Sequence, residues 1–383
     1  MRERLGWPFF DETHRSVATQ LQRWLDEAKV TDDEAKAPES CRAWVSALAE
    51  GGWLRACVPR RFGGLHENLD VRTLCLARET LAFRSALADF AFAMQGLGSA
   101  PISLFGADEL RDEYLPRVAR GECVAAFALS EAPAGSDVAA LQTSARREGN
   151  AYVINGEKSW VSNAGIADFY VVFARTGAED TRGLSAFVVD AGHTGFSVGA
   201  TVETISPHPL GTLRLQNVRL PGSRRIGDEG QGFKIAMATL DLFRSTVGAA
   251  AIGFAERALH ETLLHVKQRR LFGAALADLQ LTQAAIAAMA TEIDAGALLV
   301  YRAAWLKDAV AERVTREAAM AKWFATEAAG RVCDRAVQLF GGRGVTKGEV
   351  IERLYRDVRA LRIYEGASEI QQLIIAKQVL DRA

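Results

Sequence analysis

A glutamate sits between a tyrosine and a glycine near the C-terminus, in RDVRALRIYEGASEIQQLI, which spans Arg356 to Ile374. Ser368 followed by Gln371 matches a capping box, so the sequence predicts a helix from about Glu369 and places Glu365 in the loop before it. A loop carboxylate flanked by Tyr364 and Gly366 can be shielded and still approach a ligand. Burial beside an apolar substrate would raise its pKa toward the range useful for a general base, although a solvated loop glutamate has the same local sequence.

Two other segments carry hydroxyls and an aromatic. AFALSEAPAGSDV, around Ser130 and Ser136, can bring backbone N–H groups close to a flat ligand, or can simply be a capped turn. NGEKSWVSN, from Asn155 to Asn163, puts Trp160 on a predicted strand, where it could cover a ring system or serve as a plain core tryptophan. Asp241 and Arg244 are three apart on a predicted helix and share a face, the spacing of an ordinary ion pair.

Apolar periodicity indicates which elements must position these groups. From Glu12 to about Arg120 it is helical, with breaks expected at Gly51-Gly52, Gly63-Gly64 and Pro101. Between Cys123 and about Ile226 short Val-, Phe- and Tyr-rich runs predict strands at Tyr152 to Ile154, Phe169 to Phe173 and Ala186 to Val189, with Asn155-Gly156 as a hairpin signal. Leu213, Leu215, Val218 and Leu220 nearly alternate, and a bulge at Asn217 would explain the slip. Helical spacing returns over Phe233 to Arg270, Leu279 to Lys307 and Val314 to Phe340, then after Glu369, which suggests an antiparallel four-helix bundle. The expected fold is α+β: an N-terminal helical domain (residues 1–122), a middle β-barrel-like domain (123–227) and a C-terminal bundle (228–383).

Composition removes several functions. Of 383 residues, 46 are Lys or Arg and 47 Asp or Glu, so no global field draws the chain to nucleic acid or an anionic membrane. No uninterrupted apolar run of spanning length is evident, and the first residues lack a secretory pattern. Five scattered cysteines without a CxxC suit a reducing space, taken as the cytoplasm. Gly341-Gly342-Arg343-Gly344 follows a helix instead of a strand, which disfavours a dinucleotide loop. There is no HExxH or GxSxG, and His260 and His265 are five apart, so neither a metal site nor a hydrolase elbow is expected.

The three segments, in this order and spacing, resemble the acyl-CoA dehydrogenase family over nearly the whole chain. The resemblance implies non-covalent FAD, an acyl-CoA substrate, an electron-transferring flavoprotein as acceptor, and a homotetramer built as a dimer of dimers. By position, Phe127, Leu129, Ser130, Trp160 and Ser162 resemble the residues that hold the flavin and ribityl region, with Gly135 and Ser136 near both flavin and acyl-CoA. Arg269, Phe272 and Gln280 resemble contacts to the FAD diphosphate and adenine of a neighbouring subunit, joined there by Gln338, Gly341 and Gly342. Glu365 falls on the family's catalytic base. Some members carry that base on the long helix, where this chain has Phe243. Asp241 and Arg244 resemble contacts to the pantetheine of the substrate, Tyr364 and Gly366 flank the base beside the substrate, and Asp89, Phe90 and Ala93 fall near the cavity floor.

Two places depart from the family pattern. A common Gly-x-Arg-x-Ser segment is replaced by Ile205-Ser206-Pro207-His208-Pro209-Leu210-Gly211, and Ala367 stands where a threonine usually follows Glu-Gly. The Pro207 to Gly211 loop keeps one rival on the same fold in view, a dehydrogenase of carrier-protein-bound acyl groups; a flavin monooxygenase or oxidase of the same fold is a second rival, and Glu365 counts against it.

Overall fold

The structure is a computed structural model that describes residues 2–177 and 180–381. Its elements run helices, strands, helices. Five helices, α1 (Glu12–Glu27), α2 (Ala37–Glu50), α3 (Val71–Arg84), α4 (Ala86–Phe105) and α5 (Asp108–Ala119), precede the strands. The strands are β1 (Ala125–Ala128), β2 (Ser144–Glu148), β3 (Ala151–Ser162), β4 (Phe169–Arg175), β5 (Leu184–Asp190), β6 (Phe196–Thr201), β7 (Leu210–Pro221) and β8 (Arg225–Ile226). Then come α6 (Gly232–Gln268), a hairpin of β9 (Arg270–Leu271) and β10 (Ala274–Ala275), α7 (Gln280–Ala309), α8 (Thr315–Phe340), α9 (Val350–Ala360) and α10 (Ser368–Leu380).

Two compact units result: a sheet unit of residues 28–70 and 90–240, and a bundle unit of residues 1–27, 71–89 and 241–383. In the sheet unit one path runs β6-β7-β3-β2-β4-β5-β8, with β1 parallel to β4. β4 and β5 are buried on both faces, as the apolar runs Phe169 to Ala174 and Ala186 to Val189 require. Their side chains join Tyr114 and Leu115 of α5 and Ile235 of α6 in one core.

The expected bulge in β7 is present. Ile154 pairs with Val218 and Gly156 with Leu215, so β7 carries one extra residue there, and Asn217 has φ +55°. The hairpin predicted at Asn155-Gly156 is not: β3 runs straight through both residues. The Asn155 side-chain carbonyl accepts the Asn217 N–H at 2.8 Å, and a Cβ on Gly156 would lie 2.7 Å from Thr143 Cα. The turn lies earlier, at Gly149 and Asn150 between the paired Glu148 and Ala151. Pro101 also fails to break its helix and lies inside α4. Packing overrides propensity here, for a Cβ on Gly98 would lie 2.7 Å from the Ala125 side chain.

In the bundle unit small residues let long helices approach closely: a Cβ on Gly248 of α6 would meet Ala321 O of α8 at 3.2 Å, and one on Gly253 would meet Glu79 O of α3 at 2.3 Å. The four expected long helices are joined by α9, a short amphipathic helix outside the expected set, which buries Ile351, Leu354 and Val358. α6 and α7 are long and apolar enough to cross a membrane by length and composition alone. The apolar stretch of α6 is 83 % buried within the protein and that of α7 is 33 % buried. All five cysteines are free and buried.

Candidate active site

Glu365 lies in the loop between α9 and α10, with φ +53°, and Gly366 follows at φ +91°. A left-handed glutamate is sterically costly and persists only where its surroundings fix it. Three groups do so. Lys322 of α8, fully buried, donates from Nζ to Leu361 O at 3.1 Å and Gly366 O at 2.7 Å, one carbonyl on each side of the glutamate. Gln371 of α10 donates from Nε2 to Glu365 O at 3.2 Å and Gly366 O at 2.9 Å. Glu327 of α8 accepts from Arg362 at 2.8 Å and from the Ser368 hydroxyl at 2.6 Å.

These contacts revise the capping box. Ala367 is the N-cap without a side-chain bond, Ser368 has turned to Glu327, and Gln371 reaches back to the loop carbonyls.

A charged cluster surrounds the glutamate. Arg78 of α3 forms a two-point pair with Asp89 (2.8 and 2.7 Å) and donates to Thr246 at 3.1 Å. Arg244 of α6 pairs with Asp241 at 2.5 Å, and Asp241 also accepts the Thr315 hydroxyl at 2.6 Å. Burial raises the Glu365 pKa, and Arg78, Lys322 and Arg244 pull it back. Burial likewise pushes Lys322 down to about 8 against the attraction of Glu365. Among the described residues Glu365 Oε2, Arg244 Nε and Gln371 Oε1 are buried without a hydrogen-bond partner. A cluster so bonded elsewhere leaves a carboxylate oxygen open to a ligand.

The sheet unit gathers the second group of residues. The segment after β1 lies against β3: Ser159 N–H donates to Ser130 O at 2.9 Å, and Asn163 Nδ2 to Ala125 O at 2.9 Å. Beneath it Lys158, fully buried, donates to Leu129 O at 3.1 Å and pairs with Glu131 at 2.8 Å. Glu131 also accepts the N–H groups of Gln142 and Thr143, so the carboxylate is well satisfied. A second bulge, between the Lys158–Leu213 and Val161–Gly211 pairs, gives Trp160 φ +52° and leaves it 54 % exposed. Phe127 packs on Phe173, Leu129 is buried, Ser130 and Ser162 are half-buried, and Gly135 and Ser136 are exposed. A Cβ on Gly135 would meet nothing within 4 Å. An outward indole and an open glycine fit a flat ring system.

The third group lies along the bundle unit. Gln338 follows Lys322 by 338 − 322 = 16 positions on α8, a rise of about 24 Å. His265 at the end of α6 stacks on Phe340 at the end of α8, with ring centroids 4.1 Å apart. This joins the segment of Arg269 and Phe272 to that of Gln338, Gly341 and Gly342. Phe272, at φ +52° in the β9–β10 turn, is 96 % exposed, and Gln280 opens α7. Arg269 is exposed and has no carboxylate partner among the described residues, so its guanidinium is available to an anion.

The departing loop is ordered by its own contacts. His208 bonds Ser206 O at 2.8 Å through Nδ1 and packs on Phe90 with centroids 4.7 Å apart, while Pro209 O accepts the Asn163 N–H at 2.9 Å. Ala93 is buried in the sheet unit.

Three family models match successive parts of the chain: the acyl-CoA dehydrogenase N-terminal domain over residues 9–122, the middle domain over 126–218 and the C-terminal domain over 230–380. Cyclohexane-1-carbonyl-CoA dehydrogenase of Geobacter metallireducens is 38 % identical over 88 % of this chain and 89 % of its own length. The caffeyl-CoA reductase-Etf complex subunit CarC of Acetobacterium woodii is 34 % identical over 98 % of this chain and all of its own. The butyryl-CoA dehydrogenase structure from Megasphaera elsdenii superposes with a TM-score of 0.90 at 31 % identity, covering 97 % of this chain and 99 % of that one.

Proposed function

The chain belongs to the acyl-CoA dehydrogenase family, and from that premise we propose that it converts a saturated acyl-CoA thioester to the trans-2-enoyl-CoA, with Glu365 taking the α proton. The observation that carries this reading is Glu365: half-buried in a strained loop, with its Oε2 atom buried and without a partner among the described residues. A base that must collect a carbon-bound proton needs a free oxygen and a pKa lifted above the ordinary carboxylate range. Phe243, on the helix where some relatives carry the base, is buried and cannot serve.

FAD, when bound, supplies the two-electron acceptor for the β hydride. On this reading Phe127, Leu129, Ser130, Gly135, Ser136, Trp160 and Ser162 hold the flavin, and the bulge at Trp160 aims the indole at it. Arg269, with Phe272, Gln280, Gln338, Gly341 and Gly342, binds the diphosphate and adenine of a cofactor seated mainly in a second copy, since a guanidinium fork matches phosphate oxygens. The exposure of Phe272 and Leu281 (96 % and 87 %) supports a homotetramer that covers this surface. Asp241 and Arg244 form the ion pair their spacing predicts; a role beside the substrate's pantetheine adds to that pairing, with Tyr364 and Gly366 on the same unit, while Ser136 is proposed as a substrate contact from the sheet unit. An electron-transferring flavoprotein is the proposed acceptor, in keeping with the Etf complex of the A. woodii relative. Five buried free thiols support a cytoplasmic location.

Similarity to a caffeyl-CoA reductase subunit favours one further reading, in which the same groups run the reaction in reverse and protonated Glu365 returns a proton to the α carbon. Both directions are tested together: the purified protein should be yellow, and anaerobic addition of one member of a panel of saturated straight, branched, cyclic or aryl acyl-CoA thioesters should bleach it. Bleaching only by a chemical reductant, with reoxidation by an enoyl-CoA, assigns the reverse direction. A yellow protein that no CoA thioester changes favours a carrier-protein or oxygenase activity, and a colourless one rejects the flavin.

A further inference from the structure

We infer that Lys322 is a positioning residue for the Glu365 base: its ammonium bridges Leu361 O and Gly366 O, holds the loop between them in its left-handed turn, and sets the charge against which the carboxylate titrates. The inference rests on the assignment of Glu365 as base. Its geometry is independent of that assignment. Lys322 is fully buried, yet its two bonds, at 3.1 and 2.7 Å, both go to neutral carbonyls and to no carboxylate. A buried lysine without a bonded counter-ion is costly, and it is tolerated where the charge acts on something nearby. The groups facing Glu365 are Arg78 from α3, Asp89 from α4, Arg244 from α6 and Lys322 from α8. Arg78 is bound at two points by Asp89 and Arg244 by Asp241, so among the described residues Lys322 is the cation of this cluster left without a bonded carboxylate. Glu327, the other acid near it, is engaged by Arg362 and Ser368.

The Lys322 stem also lies on the buried stripe of α8 with Ala318, Ala325 and Ala329, so the residue is anchored at both ends. Movement of the loop by as little as 1 Å would misalign a base with a carbon acid, an error that can cost about 100-fold in rate.

Two substitutions separate the bonds from the charge. Lys322→Gln keeps a donor for a loop carbonyl and removes the charge; Lys322→Met removes both. In flavin-loaded protein, the infrared C=O band of protonated Glu365, identified by its loss in Glu365→Gln, is followed against pH. Both Lys322 variants should titrate Glu365 about one pH unit higher than wild type. Lys322→Met should also slow flavin reduction at the high-pH plateau by about 100-fold, while Lys322→Gln stays within about tenfold of wild type. If Lys322→Met does not hold flavin, the Lys322→Gln titration decides alone. An unmoved Glu365 titration in Lys322→Gln overturns the inference. Wild-type protein that no thioester reduces would instead overturn the dehydrogenase assignment, and the infrared comparison would still decide the role of Lys322.

Discussion

Two loops in this protein are held by a buried lysine, and the lysines are used differently. Under the segment after β1, Lys158 has a bonded carboxylate, Glu131, which is itself saturated by two backbone N–H groups. Under the loop before α10, Lys322 bonds carbonyls alone among the described residues, and Glu365, whose charge acts on it, has no partner there for Oε2. Burial pushes both lysines down to about 8. The Glu131 pKa falls below its usual range, because Lys158 and the N–H donors outweigh burial, whereas that of Glu365 rises, because burial outweighs its cations. The paired carboxylate is held ionised, and the one left short of partners is the one that suits the proposed base.

This contrast is sharpest at the carboxylates themselves. Glu365→Gln should lower the rate of flavin reduction by at least about 10³-fold with flavin content unchanged, measured by anaerobic stopped-flow absorbance. Glu131→Gln should leave the intrinsic reduction rate of whatever holoprotein forms within about tenfold of wild type. Lys158→Met strands a buried charge and should destabilise the fold by about 3–5 kcal/mol, read as a lower denaturant midpoint together with weaker flavin retention. Arg269→Ala should release FAD more readily on dilution while the flavin-reduction rate of the remaining holoprotein is little changed, since its guanidinium faces the proposed diphosphate and not the reacting carbons.

The pH dependence follows from the direction of the Glu365 shift. A base must be ionised to accept a proton, so the reduction rate should rise with pH through a limb above the ordinary value of 4.5 and then level off. A limb at or below that value would mean that Glu365 is solvated. Gln371→Ala removes two bonds to the base loop but no charge, and should give the smallest effect: a rate loss of about tenfold without displacement of the limb.

Much of this was legible in the chain. Period changes gave the helix, strand, helix order, Asn217 gave its bulge, and the order of the three motif segments pointed to the family. Glu365 was legible as a loop glutamate, but its strain and its open oxygen were not, because both depend on Lys322 and Gln371, 43 residues before it and six after it. The two lysines were missed for a physical reason: a lysine is ordinarily solvated, and sequence alone does not show which is buried. A signal was available for Lys322, which falls on the stripe of Ala318, Ala325 and Ala329. Asn155-Gly156 misled because the dipeptide lies inside a strand opposite the β7 bulge, where Asn217 and Thr143 across the sheet fix it. Pro101 misled because helix-breaking is a local preference, and α4 is fixed by its packing on β1.

The most direct test compares wild type and Glu365→Gln, both loaded with FAD, as the thioester that bleaches wild type fastest is mixed anaerobically with each. Loss of the visible flavin band in wild type, with the same thioester bound but the band retained in Glu365→Gln, is the predicted result. Bleaching of both at equal rates would contradict the assignment of Glu365 as the base.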